Sequence, residues 1–192
     1  MRVPARTISA ARSSHGAFLM SRVRKAAVPQ GTLVASAFPR PSYEDAFAIK
    51  LPKGAATDVD ELTWLIANSP APWARALMRL RNRIVAPFGL RTSDPPATGR
   101  AEGGTLKPGD RAGIFPVLAR ADDEVLLGAD DRHLDFRASV LLRRGEKRDS
   151  VVLSTVVRYN NLLGRVYFLF VWPFHGAIVS ASLRNAVRRL RR

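Results

Sequence analysis

An uncharged stretch of 18 residues, VYFLFVWPFHGAIVSASL at positions 166–183, constrains the fold more than any other part of the sequence. Its length approaches that of a membrane-spanning helix, and the basic sequence RNAVRRLRR follows it as cytoplasmic flanking residues would. The stretch also contains a proline, a histidine, a glycine and two serines, and Arg165 directly precedes it. A soluble sheet elsewhere in the chain would need a helix to cover it. We therefore expect an amphipathic or largely buried helix, capped by Asn160 or Asn161 and kinked near Pro173.

The segments before this helix have the pattern of an antiparallel sheet. Four strands are predicted, joined by connections of hairpin length, at 112–120, 123–128, 132–143 and 149–159. We expect them to form a meander. An earlier strand is expected at 45–51, where Phe47, Ile49 and Leu51 recur at every second position and Pro52 follows.

Two helices are predicted between the first strand and the meander. Thr57 and Asp58 are N-cap candidates for the first helix, which ends near Asn68. The second begins at the proline-containing segment 69–72. Its apolar stripe consists of Trp73, Leu77, Leu80, Ile84 and Phe88. Residues 91–111 are rich in glycine and proline and are predicted to form a connection or a mobile flap.

The formal net charge of +15 arises from 31 lysine and arginine residues against 16 aspartate and glutamate residues, and it is concentrated at the two ends. No acidic residue occurs in 1–43 or in 150–192, whereas 44–149 carries 17 basic and 16 acidic residues. A nucleic-acid-binding protein needs a basic stripe on its folded surface, so we do not expect nucleic acid as a partner. The basic ends are better suited to an anionic membrane surface.

The N-terminal residues 1–36 are rich in arginine and serine, which is typical of a transit peptide, of an over-long start or of a basic disordered extension. We expect a disordered extension there and a single domain at 37–192. The chain has no cysteine, which excludes disulfides, cysteine-ligated metals and a cysteine nucleophile.

Six short segments carry a resemblance to a known family. They are YEDAF at 43–47, LRN at 80–82, FG at 88–89, GIFPV at 113–117, DRHLDFR at 131–137 and PFH at 173–175. Over 43–183 the chain resembles an uncharacterised bacterial family of domains of unknown function. Through this family the chain resembles the START-like superfamily, often called SRPBCC, which includes polyketide cyclases, birch-pollen-allergen-like proteins and lipid-transfer domains.

The resemblance implies an α+β helix-grip fold. In this fold a curved antiparallel sheet wraps around a long C-terminal helix, two short helices follow the first strand, and an elongated apolar cavity lies between sheet and helix. The resemblance implies no particular reaction.

Polar side chains alternate along the strand predicted at 132–143. His133, Asp135, Arg137 and Ser139 occupy every second position, so they should share one face of the sheet. If that face lines the cavity, His133 and Asp135 would form an acid–base pair and Arg137 would bind a carboxylate or phosphate. If the face meets water, it is an ordinary half-buried strand in which Asp135 pairs with an arginine.

Three further residues are candidates for ligand binding. His175 lies in the apolar C-terminal helix with Tyr167 on nearly the same stripe, and either faces the cavity or is a core histidine bonded to the backbone. Arg81, on the second helix beside Asn82, would lie near the cavity mouth in the resembling fold, or would be a solvated surface residue. We expect no metal site, because the adjacent carboxylates at 130–131 suit a turn.

These observations favour binding of an apolar or amphipathic small molecule, lipid-like or polyketide-like, in an internal cavity and without a cofactor. One alternative is a cyclase-like or hydrolase-like enzyme that uses His133, Asp135 and His175. Another is a protein that acts at a membrane surface through its basic ends. We expect a cytoplasmic protein, with or without peripheral membrane association.

Overall fold

Seven strands and three helices make up the part of the chain that the structure describes. The structure is a computed structural model, and it describes residues 22–55, 57–85 and 104–191. In chain order the elements are β1 (Arg24–Ala26), β2 (Tyr43–Lys50), α1 (Val59–Ala67), α2 (Pro72–Val85), β3 (Arg111–Ala112), β4 (Phe115–Ala121), β5 (Glu124–Asp130), β6 (Leu134–Arg143), β7 (Ser150–Tyr159) and α3 (Leu162–Arg189). The predicted α+β class is confirmed.

The strands form one curved antiparallel sheet in the order β1-β2-β7-β6-β5-β4-β3. Strands β3 to β7 follow one another as a meander, as predicted. The first long strand, β2, closes this arrangement by pairing with the last strand, β7, from Tyr43 opposite Val157 to Lys50 opposite Ser150. Strand β1 lies outside β2 and was not predicted, because its three residues are too short to carry a periodic signal.

Side-chain caps begin the first and third helices where the sequence predicts them. The Asp58 carboxylate accepts a hydrogen bond of 2.7 Å from the Glu61 backbone N–H at the start of α1. The Asn161 side-chain oxygen accepts one of 3.1 Å from the Gly164 N–H at the start of α3. Each cap satisfies a backbone N–H that has no partner within its helix.

Helix α1 and the C-terminal half of α3 cover one face of the sheet. The core there consists of buried aliphatic side chains from both layers, among them Ile49, Leu51, Val59, Leu62, Val125, Val140, Leu142, Val151, Val179 and Leu183. These side chains interdigitate between sheet and helices, and this burial is the main source of stability for the fold.

The N-terminal half of α3 is more exposed than we expected. By length and composition α3 is able to cross a membrane, and only 28% of its most apolar 18-residue window is buried. The expectation of a largely buried helix is therefore wrong for this half. Two residues of the predicted α2 stripe, Trp73 and Leu80, are also exposed. Sequence periodicity does not reveal that the elements in the described part of the chain leave both apolar surfaces partly exposed.

The opposite face of the sheet is covered by the segment at 27–42. Val34 and Phe38 of this segment pack on Leu126 and Val156, which point away from the helices. Residues 22–36 are therefore part of the fold, which corrects our boundary at 37 and the predicted disorder of 1–36 over that stretch. Residues 1–21, and the part of the predicted 91–111 connection before 104, lie outside the described residues.

The segment at 27–42 is attached to the sheet by a buried carboxylate. Glu124, on β5, accepts hydrogen bonds from the backbone N–H groups of Leu33 at 2.7 Å and Val34 at 3.3 Å. Glu124 lies in the strand predicted at 123–128, but its role as an acceptor for backbone N–H groups 90 residues away was not predicted.

We expect Glu124→Ala to lower the free energy of unfolding by about 2 kcal/mol, because two N–H groups lose their acceptor in a water-poor environment. Glu124→Gln keeps one acceptor oxygen and should fall between the alanine variant and wild type. Urea denaturation measures both. Glu146→Ala, at an exposed position, is the control and should change stability by less than about 0.5 kcal/mol. Equal stability of Glu124→Ala and Glu146→Ala would contradict this role.

Candidate functional site

The carboxylate of Asp45 joins the sheet to α3. Its side chain is only 3% exposed. The Tyr43 hydroxyl donates a hydrogen bond of 2.7 Å to Oδ2, and Oδ1 lies 3.2 Å from Nε2 of His175. A carboxylate only accepts hydrogen bonds, so Nε2 carries the ring proton and its N–H donates a hydrogen bond to Oδ1 of Asp45. A side-chain interaction with Trp172, one turn before His175, lowers the pKa of the Tyr43 hydroxyl.

This network fixes the protonation state of Tyr43. Burial raises the pKa of the Tyr43 hydroxyl, and the hydrogen bond to the Asp45 carboxylate and its negative charge raise it further. The hydroxyl therefore keeps its proton throughout the physiological pH range and acts as a donor to Asp45.

An open groove of about 250 Å³ lies next to the network. It is lined by Tyr43, Tyr159, Arg165, Phe168, Leu169 and Trp172. The ring centroid of Phe168 is 4.7 Å from that of Tyr43 and 5.5 Å from that of Tyr159, so three rings form its aromatic floor. The groove is smaller than the 300–1,000 Å³ that encloses a typical drug-sized ligand.

Two glycines allow α3 to approach the sheet closely enough to form this groove. A Cβ atom at Gly164 would overlap the carbonyl oxygen of His133, in the turn before β6. At Gly176 it would lie 3.1 Å from the Phe47 ring. Between these two contacts the aromatic side chains occupy the space between helix and sheet.

Arg165 supplies positive charge at the rim of the groove. Burial raises the pKa of the Tyr159 hydroxyl, and the Arg165 guanidinium opposes this increase. Arg165 is exposed, and a guanidinium beside a phenol hydroxyl is an arrangement that binds carboxylates and phosphates.

The predicted polar row on β6 is divided between the two faces of the sheet. His133 precedes β6 and lies in a turn, so it does not follow the alternation of the strand. Its buried ring packs edge-on against Tyr167 at 4.8 Å on the α3 side, and its Nδ1 lies 3.3 Å from Asp131. Asp135 points to the opposite face, so the predicted acid–base pair of His133 and Asp135 does not form.

Asp135 and Arg137 belong to the surface covered by the segment at 27–42 rather than to the α3 side. Oδ2 of Asp135 lies 2.6 Å from Nη2 of Arg158, and Nη1 of Arg137 lies 2.6 Å from Asp130. Both guanidinium groups stack over the Phe38 ring, at 4.9 Å and 5.0 Å. The alternative interpretation, in which Asp135 pairs with an arginine, agrees with the structure. Ser139 is buried on this same face.

The other predicted site residues are distributed as follows. His175 belongs to the Asp45 network, and Tyr167 packs on His133. Arg81 lies in α2, and its side chain is outside the described residues. Within residues 22–55, 57–85 and 104–191, no cluster of three or more metal-ligating side chains is present.

Asp45 was not predicted as a site residue, although the sequence contains a signal for it. On β2, Tyr43, Phe47 and Ile49 alternate toward the helices, and Asp45 occupies an inward position among them. An acidic residue at an apolar position of a strand needs a buried partner. That requirement, combined with the histidine in the apolar helix, predicts the contact between Asp45 and His175.

The stability supplied by Asp135 should depend on pH. Burial opposes ionisation, but the hydrogen bonds from Arg158 and Asn160 outweigh it and lower the pKa of Asp135. A carboxyl with a lowered folded-state pKa stabilises the fold above its unfolded pKa of about 4, and this stabilisation is lost as the pH falls through the folded-state pKa. We expect Asp135→Asn to cost about 1 kcal/mol at pH 7. In urea denaturation from pH 7 to pH 2, the difference from wild type should shrink below about pH 4. A difference that stays constant with pH would contradict this assignment.

Comparison with known proteins identifies a family. Residues 37–182, about three quarters of the chain, match the family described as protein of unknown function (DUF2867). Among curated proteins, none matches the chain. The matched segment contains β2, α1, α2, the strands β3 to β7, the part of α3 up to residue 182, and both partners of the Asp45–His175 contact. The chain belongs to the DUF2867 family of proteins of unknown function.

Proposed function

We propose that this protein is a helix-grip protein of the START-like type that binds an anionic amphipathic small molecule. The observation that carries the proposal is the groove of Tyr43, Tyr159, Phe168 and Trp172 with the Arg165 guanidinium at its rim. It combines aromatic surface for the apolar part of a ligand with a fixed positive charge for its anionic end.

The order of the elements supports the helix-grip assignment. The first long strand, β2, is followed by two helices, then by an antiparallel meander and a long C-terminal helix. Pairing of β2 with β7 brings the first long strand beside the last one. Helix α3 lies on the face that these strands share, which is the arrangement the superfamily resemblance implies.

The groove is a better ligand site than an elongated internal cavity. Side chains of the core fill the space between the sheet, α1 and the C-terminal half of α3. The groove of about 250 Å³ is too small to enclose a lipid-sized molecule. The bound molecule therefore has one part in the groove and another on the neighbouring exposed surface of α3, where Leu169 is 66% exposed.

The polar groups of the groove define the chemistry of the bound end. The Tyr43 hydroxyl donates its hydrogen bond to Asp45. Tyr159 and Arg165 are therefore the groups of the groove that bind the polar end of the ligand. Both present N–H or O–H donors, and the guanidinium carries a permanent charge. A carboxylate or a phosphate monoester matches this donor set.

Titration of the purified full-length chain with cis-parinaric acid, a carboxylate whose fluorescence rises in apolar sites, tests the proposal. We expect saturable binding that Arg165→Gln weakens about tenfold, because a charge-assisted contact is lost. Arg184→Gln is the matched control, since it removes the same charge from an exposed position in the other half of α3, and it should leave the affinity unchanged.

The methyl ester of the same fatty acid separates charge from packing. It has no carboxylate, so Arg165→Gln and wild type should bind it equally well. Non-saturable binding by wild type, or equal weakening of cis-parinaric acid binding in Arg165→Gln and Arg184→Gln, would overturn the proposal.

We propose acid–base catalysis of a hydrolase-like or cyclase-like reaction as a second function, on the basis of the contact between Asp45 and His175. Asp45 orients the imidazole through Nε2–H and stabilises its protonated form, so that Nδ1 is the basic atom. In ester hydrolysis, Nδ1 would take a proton from a water molecule as its oxygen attacks the carbonyl carbon. The proton then passes to the alkoxide as the ester bond breaks.

Hydrolysis of p-nitrophenyl butyrate tests this second function. We expect Asp45→Asn and His175→Gln each to lower kcat by at least about a hundredfold, which is the usual contribution of a general base. Asp131→Asn is the matched control, because it alters the other contact between an aspartate and a histidine, that with His133, and should retain activity. Equal rates for wild type, Asp45→Asn and a protein-free solution would reject the catalytic function and leave the binding proposal unaffected.

A further inference from the structure

The N-terminal half of α3 presents an apolar surface to solvent. We call this surface the outward face of α3, defined by Leu162, Leu163, Val166, Leu169, Phe170, Trp172, Pro173 and Phe174. Phe170 is 72% exposed and Leu162 is 74% exposed. The face extends over about three helical turns, roughly 18 Å at 1.5 Å per residue. Contiguous exposed apolar surface of this kind on a soluble protein indicates an interaction site.

The other side of α3 holds the helix parallel to the sheet. Gly164 contacts the turn before β6, Phe168 is buried among aromatic rings, and His175 is bonded to Asp45. A helix held in this way along its length presents its outward face as a flat strip rather than entering a bilayer end-on.

The charged residues of α2 and α3 indicate what binds to this face. Neither α2 nor α3 contains an aspartate or glutamate. Arg165 lies at the edge of the outward face. Helix α2, which contacts the C-terminal half of α3 through Ala74 and Ala181, carries exposed arginines. They are Arg75, Arg79 and Arg83. An apolar helical face that contains tryptophan and phenylalanine, with Arg165 at its edge and no acidic residue on its helix, complements an anionic lipid surface.

A second copy of the chain fits the face less well. In a two-fold symmetric pair the same surface meets itself, so Arg165 would be covered by an apolar face that offers no carboxylate. Burying a guanidinium without a counter-charge is costly, whereas lipid phosphates at a bilayer surface neutralise it.

We propose that the outward face of α3 docks in the plane of an anionic phospholipid surface, with the aromatic side chains inserted at the level of the headgroups. This inference goes beyond the binding of a small molecule and gives membrane association a location different from the basic chain ends. Leu169 and Trp172 belong both to this face and to the lining of the groove, so docking brings the groove to the lipid surface.

Vesicle flotation of the full-length chain tests the docking. The vesicles contain phosphatidylcholine alone or with about one third phosphatidylserine, at 0.1 M and 0.5 M salt. We expect binding to the anionic vesicles that weakens at high salt, because the attraction to the surface is screened. Phe170→Asp should lower the bound fraction about tenfold by placing a charge in the apolar strip.

Leu118→Asp is the matched control, since it adds the same charge at an exposed apolar residue of β4 on the sheet, and it should float like wild type. The proposal is overturned if wild type does not float, if both variants lose binding equally, or if Phe170→Asp only dissociates a dimer detected by analytical ultracentrifugation. Phe170 does not line the groove, and the vesicles contain no fatty acid, so flotation tests the docking independently of ligand binding in the groove.

Discussion

The contact between Asp45 and α3 determines how the functional surfaces of this protein are arranged. A carboxylate that is almost completely buried is costly unless its oxygens accept hydrogen bonds. Tyr43 from the same strand and His175 from α3 supply them, at 2.7 Å and 3.2 Å. Rotation of α3 about its axis would remove His175 from Asp45, so this contact fixes which side of the helix faces the sheet and which faces solvent.

The two halves of α3 consequently serve different purposes. The C-terminal half, with Val179 and Leu183, completes the aliphatic core with α1 and the sheet. The N-terminal half is anchored only on its inner side, by Gly164, Phe168 and His175. Its other sides form one wall of the aromatic groove and an apolar strip open to solvent. An 18-residue uncharged segment is thus used half as core and half as surface.

Local signals in the sequence predicted the elements well, because each depends on neighbouring residues. The caps Asp58 and Asn161 and the alternation in β2 all have a physical cause within a few positions. The meander followed from the short connections between strands. The turn before β6 was not predicted from these local signals. It moves His133 off the strand and thereby separates it from Asp135.

Contacts between segments that are distant in the sequence were not predicted. The pairing of Asp45 with His175 spans 130 residues, and the anchoring of Val34 by Glu124 spans 90. From a single sequence one can infer that a buried charge needs a partner. Which residue is the partner depends on how the helix packs on the sheet. Exposure of the outward face of α3 likewise depends on how many elements are available to cover it.

Intermolecular nuclear Overhauser effects in the complex of the chain with laurate test the central claim most directly, because they locate the bound molecule. The groove assignment predicts cross-peaks between the laurate methylene protons and the ring protons of Tyr43, Tyr159 and Trp172. Cross-peaks only to the core residues Val140, Leu142 and Leu183, or none at saturating laurate, would contradict it.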